Sequence, residues 1–181
     1  MKRKGFTLVE LLIVIVVIGI LSAMMMMSST EATTSAKVSN IVSNMRNLKT
    51  AALEFYTDNM DYFVKNPKDQ LVAMNDGSSR KGQDEIRKYL GAGNNTAPDI
   101  NDYTVTASTQ NDYTWWVAYT IKGSDAEKAS IKKKLAGRAS SLGLKGCSAE
   151  INKTNGEITI PKGIKDTPYT EAHNTVLLQV R

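Results

Sequence analysis

One acidic residue, Glu10, lies near the start of a long apolar stretch and is the first candidate for chemistry in this chain. No ionisable side chain follows it between Leu11 and Thr30. A carboxylate inside an apolar membrane span costs about 3 kcal/mol or more, so a residue of this kind is expected to serve a function. The sequence therefore predicts that Glu10 meets a cation.

The residues before the apolar stretch supply such a cation only if the chain is cut. Cleavage after Gly5 would free the amino group of Phe6. In a filament of identical subunits, that amino group on one copy is predicted to lie beside Glu10 of the next copy and to neutralise it. The cost of the buried charge would then favour assembly. Three basic residues precede Gly5, namely Lys2, Arg3 and Lys4.

The rest of the sequence carries no recognisable catalytic or metal-binding pattern. His173 is the sole histidine, is expected on a surface loop, and has no HExxH-type partner. No GxSxG elbow, P-loop or dinucleotide fingerprint occurs. We expect no enzyme activity, no cofactor and no metal. One set of oxygen-bearing side chains is interpreted as turn residues rather than as calcium ligands, namely Asp99, Asn101, Asp102, Asn111 and Asp112.

Charge and cysteine content narrow the possible partners. Removal of the three leader charges lowers the formal net charge from +5 to about +2. The run Lys132–Lys134 is expected to be a solvated helix face, so nucleic acid is not expected as a partner. Cys147 is the single cysteine. It is predicted to be a small buried side chain between a helix and a strand, with an intermolecular disulfide as the alternative.

The apolar stretch is long enough to cross a membrane. About 20 uncharged residues in a helix reach roughly 30 Å, the thickness of the hydrocarbon core. Basic residues ahead of the segment favour a cytoplasmic N-terminus. Everything after Met27 is then predicted to be exported and tethered.

The residues KGFTLVELLIVIVVIGIL, Lys4 to Leu21, resemble the N-terminal signature of type IV pilins and type II secretion pseudopilins. In that family a short basic leader ends in Gly, Phe usually follows, and a Glu lies early in the mature chain. The resemblance implies a class III signal peptide, with prepilin peptidase cutting between Gly5 and Phe6. It also implies N-methylation of Phe6 and an assembly and register role for Glu10. It covers roughly the first 30 residues.

Two features depart from the family pattern. Many major pilins have Pro at the place where Met27 stands here, and many close a C-terminal loop with a disulfide that a single cysteine cannot form. Both departures favour a minor pilin or a pseudopilin.

The resemblance and the periodicity together divide the chain into three parts. Residues 1–5 are the leader, 6–30 the transmembrane and assembly half of a helix, and 31–181 a globular head that includes the helix's amphipathic half. No Pro or Gly interrupts Ser22 to Met60, so one helix from Phe6 to about Asp58 is predicted. Its apolar stripe has three- and four-residue spacing, namely Val38, Ile41, Val42, Met45, Leu48, Ala52, Phe55 and Tyr56.

The remaining pattern predicts an α+β pilin fold, in which the long helix packs on a C-terminal antiparallel sheet of about four or five strands with one or two extra helices. Trp115 and Trp116 should point to opposite faces, one toward the helix and one outward, where it is either exposed for a partner or covered by a loop. The predicted strands are Tyr103–Ala107, Tyr113–Ile121, Val176–Val180 and a hairpin of Ala149–Asn152 with Glu157–Ile160. The predicted helices are Gly82–Leu90 and Asp125–Leu142, the latter capped by Ser124 and closed by Gly143.

The leading hypothesis is a structural subunit of a bacterial type IV pilus or type II secretion pseudopilus. Its expected partners are prepilin peptidase, copies of itself and related pilins, an inner-membrane assembly platform and membrane lipid. The subunit is expected in the inner membrane with one span and an extracytoplasmic head, and later in a cell-surface or periplasm-spanning filament. The alternatives are a monomeric membrane-anchored binding domain, a competence (DNA-uptake) minor pilin, and a secreted enzyme whose signal is cut near Ser22 or Ala23.

Overall fold

In the computed structural model of the protein, one helix of 51 residues, Leu8–Asp58 (α1), carries the rest of the fold. The structure describes residues 5–66, 85, 86, 88–90, 102–107, 114–148, 164 and 167–181. The predicted continuity of α1 through its Ser- and Thr-rich middle is confirmed. Hydroxyls there donate to carbonyls three or four residues earlier, which helical geometry permits. The pairs are Thr30 to Met26, Thr33 and Thr34 to Thr30, and Ser35 to Glu31.

The two halves of α1 differ completely in their surroundings. All residues from Gly5 to Met26 are exposed. The C-terminal half buries one stripe at helical spacing, as predicted, because side chains three and four residues apart share a face. Its buried members are Thr34, Val38, Ile41, Met45, Leu48, Ala51, Ala52 and Phe55. A short helix, Met60–Lys65 (α2), follows and buries Phe63.

The stripe lies against a four-stranded antiparallel sheet. The strands are Tyr103–Ala107 (β1), Trp115–Thr120 (β2), Leu144–Cys147 (β3) and Thr175–Gln179 (β4). Their order in the sheet is β1-β2-β4-β3, and every neighbouring pair is antiparallel. The predicted α+β architecture, a long N-terminal helix on a C-terminal antiparallel sheet, is therefore confirmed.

The adjacent tryptophans of β2 are both fully buried, on opposite faces of the sheet. Trp115 packs between the rings of Phe55, Tyr56 and Phe63, with centroid distances of 5.3–6.2 Å. Trp116 lies in a second cluster with Ala118, Cys147, Ile164 and Leu177. The predicted opposition of the two rings is correct, and the possibility that the outer one is exposed for a partner is wrong.

The predicted helix Asp125–Leu142 is two helices, Asp125–Ala136 (α3) and Ala139–Leu142 (α4). Gly137 and Arg138 form the turn between them, because Gly has low helix propensity and the chain bends here to reach β3. Ser124 caps α3 as predicted, accepting a hydrogen bond from the N–H of Glu127. Gly143 closes α4 as predicted, in the left-handed region at φ 66°.

Three further expectations have mixed outcomes. Strand β3 was not predicted, and Cys147 lies within it rather than in a connection, although the residue is buried as expected. The hairpin predicted between Ala149 and Ile160 lies outside the described residues. Of the helix predicted at Gly82–Leu90, the described residues Glu85, Ile86 and Lys88 are helical.

Candidate functional site

The first turn of α1 is built around Glu10. Thr7 precedes the helix in an extended conformation and is its N-cap. Glu10 Oε2 accepts hydrogen bonds from the N–H and the hydroxyl of Thr7, at 2.8 and 2.7 Å, and Glu10 N–H donates back to Thr7 Oγ1 at 3.3 Å. This is a reciprocal capping box. It satisfies one oxygen of the carboxylate within its own chain.

The capping role of Thr7 was not part of the sequence prediction, although the signal is present. Thr7 and Glu10 have the Thr-x-x-Glu spacing that marks a helix start just before an apolar run. The sequence prediction for Glu10 is only a contact between chains. In the described part of the chain its second oxygen, Oε1, accepts no hydrogen bond, so the carboxylate keeps a free side.

The predicted cleavage point lies immediately before this cap. Gly5, Phe6 and Thr7 are outside the helix and exposed, with Phe6 91% exposed. A Cβ built on Gly5 would meet no atom within 4 Å, so the folded chain itself does not require glycine there. The leader charges Lys2, Arg3 and Lys4 lie outside the described residues.

The apolar arm, defined here as Leu8 to Met26 of α1, buries none of its side chains in the folded chain, and Glu10 bonds only to the neighbouring Thr7. Its large apolar residues are 48% to 80% exposed. By length and composition α1 qualifies as a membrane span, and none of the qualifying segment is buried in the protein. A helix that is apolar all round is stable only in lipid or among other apolar helices. The arm is therefore suited to contact lipid or other apolar helices.

The head is joined to α1 just beyond the arm. Lys37 on α1 forms an ion pair with Glu127 on α3. This contact holds the pKa of the Glu127 carboxyl below its usual value. Lys134 Nζ donates to Ser35 Oγ at 2.6 Å and to the carbonyl of Glu31 at 3.0 Å. These contacts tie α3 to the point where α1 leaves its apolar half.

The prediction that Lys132 to Lys134 form a purely solvated face is wrong for two of the three residues. Lys134 bonds to α1, as described above, and Lys132 Nζ donates to Asn174 Oδ1 at 2.8 Å. Both ammonium groups find oxygen partners far away in sequence, which no local pattern reveals. Lys133 is exposed.

The other candidate residues that the structure describes make contacts within the head. His173 is half-buried rather than on the open surface, and its Nδ1 accepts a hydrogen bond from the Thr170 N–H at 3.1 Å. Asp102 pairs with Lys122, while Asp99, Asn101, Asn111 and Asp112 lie outside the described residues. Within the described ranges no three His, Cys, Asp or Glu side chains come together to hold a metal ion.

Residues 1–26 match the family model for the prokaryotic N-terminal methylation motif. The match supports a prepilin-type family, confirming the resemblance seen in the sequence. Families of this type are generally structural. Neither the curated proteins nor the solved structures give a match to this chain. The motif and the exposed apolar helix together indicate a membrane-anchored protein with its head outside.

Proposed function

We propose that this prepilin-type chain is a structural subunit of a bacterial type IV pilus or type II secretion pseudopilus. It is stored in the inner membrane, cut after Gly5 by a prepilin peptidase, N-methylated on Phe6, and polymerised through α1. Its partners are the peptidase, copies of itself or related pilins, and an inner-membrane assembly platform. The observation that carries the proposal is the methylation motif at residues 1–26 on a helix whose apolar half is wholly exposed.

The exposed arm explains why storage and assembly can use the same surface. Lipid tails and the apolar side chains of neighbouring helices are about equally apolar, so moving the arm from one to the other has little hydrophobic driving force. Packing and polar contacts must then decide between the two states. Along the arm Glu10 is the only charged side chain, so it is the residue best placed to favour assembly.

The capping box supports this role for Glu10. In the single subunit Thr7 satisfies Oε2, which lowers the cost of holding the carboxylate in the membrane. The free side of the carboxylate can receive the Phe6 amino group of a neighbouring processed subunit. Holding two opposite charges in an apolar environment as a bonded pair costs far less than burying either one alone. Assembly is then favoured in the alignment of neighbouring helices that brings Phe6 of one copy beside Glu10 of the other.

Processing is tested by measuring the intact mass of the protein from cells with and without prepilin peptidase. Cells with the peptidase should give a chain lacking residues 1–5 and carrying one methyl group. Cells without it should give the full chain. A leader retained in both strains would contradict the proposal.

Assembly is tested with Glu10→Gln and Thr7→Val. Gln keeps an oxygen that can accept from Thr7 but removes the charge, whereas Val removes the capping hydroxyl and keeps the charge. We expect Glu10→Gln to reduce sedimentable filaments at least about tenfold, the effect of losing roughly 1.4 kcal/mol per contact. Thr7→Val should reduce them less.

Glu31→Gln is the matched control, since Glu31 lies on the same helix just beyond the arm. It should assemble normally, and all three variants should fractionate with the membrane. Filaments formed equally well by Glu10→Gln would contradict the assembly role of Glu10, and the absence of filaments from the processed wild-type chain would contradict polymerisation and leave a tethered monomeric domain.

A further inference from the structure

We propose that the membrane-facing end of the head binds anionic phospholipid headgroups while the subunit is stored in the membrane. This basic end is defined here as the last turn of α3 and the turn after it, with Lys133, Lys134 and Arg138. The inference rests on the membrane storage step of the proposed function. It does not depend on polymerisation.

The contacts of α3 set the level of the basic end relative to the bilayer. About 20 residues of α1 starting at Leu8 cross a hydrocarbon core of about 30 Å and end near Met27. Glu31 lies four residues further, about 6 Å beyond that edge. The headgroup layer on each side is about 5–7 Å deep. Lys134 Nζ bonds the Glu31 carbonyl at 3.0 Å, so this end of α3 is level with the headgroups.

The side-chain contacts between α3 and α1 differ in their distance from the membrane. Near the start of α3, Glu127 pairs with Lys37, which is about 9 Å further from the membrane along α1 than Glu31. Near its end, Lys134 contacts Glu31 and Ser35. The contact near the end of α3 is therefore made closer to the membrane along α1 than the contact near its start, and Arg138 lies in the turn that follows α3.

The charges along α3 change from acidic at its start to basic toward its C-terminal end. Acidic residues are confined to the start of α3, at Asp125 and Glu127. From Lys128 to Ser148 the sequence has six basic residues and no acidic one, namely Lys128, Lys132, Lys133, Lys134, Arg138 and Lys145. Within α3 and the turn after it, the end that is level with the headgroups is thus the positive end.

Neutralisation of the helix dipole explains only part of this arrangement. Cations in the last turn of a helix are favourable on their own, and Lys134 is held by oxygens of α1. Lys133 and Arg138, in contrast, are exposed and form no ion pair within the described part of the chain. Each basic side chain close to an anionic membrane surface favours binding about fivefold. Two such residues would favour it about 25-fold.

The experiment uses the full chain reconstituted into vesicles, with a fluorescent label on Ser140→Cys in α4. Cys147 is buried and does not compete for the label. The vesicles contain phosphatidylcholine alone or mixed with phosphatidylglycerol, and a trace of phospholipid with a nitroxide on its headgroup quenches the label on contact. We expect strong quenching only with phosphatidylglycerol and at low salt, because salt screens exposed charges.

The charge-reversal pair K133E/R138E should lower quenching to the phosphatidylcholine level, and the milder K133Q/R138Q should lower it partway. The matched control R46E/K65E removes two exposed cations further from the membrane and should leave quenching unchanged. Equal quenching in both lipids, or unchanged quenching in K133Q/R138Q, would overturn the inference. Flotation separates the two proposals: a chain that floats with vesicles but stays unquenched contradicts only the lipid contact, and one that does not float contradicts membrane storage as well.

Discussion

The two halves of α1 share one continuous backbone and have opposite environments. The apolar arm is apolar on every side and exposes all of its side chains, whereas the half that begins near Thr34 buries one stripe under the sheet. Helix continuity therefore does not depend on tertiary packing along its whole length. The same element anchors a folded head at one end and presents an unsatisfied apolar surface at the other.

The contrast separates the side chains that stabilise the head from those that do not. Side chains of the stripe contribute to the free energy of unfolding of the head, because they lose contact with water when the head folds. Side chains of the arm remain exposed when the head folds, so they contribute little to that free energy. In the proposed function their contribution appears in the membrane or between subunits.

The sharpest test makes the same substitution in both halves. Leu48 is 6% exposed in the core and Leu12 is 51% exposed on the arm. We expect Leu48→Ala to lower the free energy of unfolding of the head by about 2–5 kcal/mol, the cost of a lost core side chain and the cavity it leaves. Leu12→Ala should change it by less than about 0.5 kcal/mol. Urea unfolding of the full chain in detergent, followed by tryptophan fluorescence, measures both, and similar losses would break the comparison.

A smaller effect is expected from a matched pair of glycines. A Cβ on Gly146 in β3 would lie 2.1 Å from Nδ1 of His173, whereas a Cβ on Gly19 of the arm would meet nothing within 4 Å. Gly146→Ala must displace the His173 ring from its bond with the Thr170 N–H, so we expect a loss of about 1–3 kcal/mol. Gly19→Ala should leave the unfolding of the head unchanged.

The cause assigned to the Gly146 effect can be checked in the same assay. In a His173→Ala background the cost of Gly146→Ala should largely disappear, because the ring that blocks the new methyl group is gone. An equal cost in both backgrounds would place the strain elsewhere in β3.

The smallest effect concerns the contact that joins the head to α1 at Lys37. The Lys37 ammonium holds the pKa of Glu127 below its usual value, so the ionised carboxylate is stabilised by folding. Its contribution is present above the ordinary carboxyl pKa and is lost as the pH falls through the lowered pKa of the folded state. The midpoint of thermal unfolding of Glu127→Gln should therefore fall below wild type at neutral pH and meet it in acid. Asp125→Asn, in the same helical turn, controls for loss of a carboxylate near the helix start, and a difference that persists unchanged in acid would contradict the prediction.

The elements that follow from local pattern were predicted closely. The spacing of Val38, Met45 and Leu48 identified the buried stripe of α1. Aromatic and β-branched residues identified β1, β2 and β4 to within about two residues at each end, the usual uncertainty of such boundaries. Strand β3 was missed because Leu144, Lys145, Gly146 and Cys147 have little strand propensity of their own. It is a strand because it pairs with β4.

The side chains that hold the head to α1 were also missed, and for a similar reason. Lys37 and Glu127 are 90 residues apart, and Lys134 and Ser35 are 99 apart. No local sequence pattern indicates either pair. The pattern around Lys132 therefore indicated a solvated face, although two of its three lysines have partners.

The sequence by itself determined the N-terminal arm: its length, its single acid and the glycine before it. Each of these depends on residues within a few positions of one another, and a helix forms from such local relations. Only the tertiary structure decided that both tryptophans are covered, that β3 exists and that the positive end of α3 lies beside Glu31. These depend on which distant segments pack together, because burial and ion pairing are properties of the whole folded head.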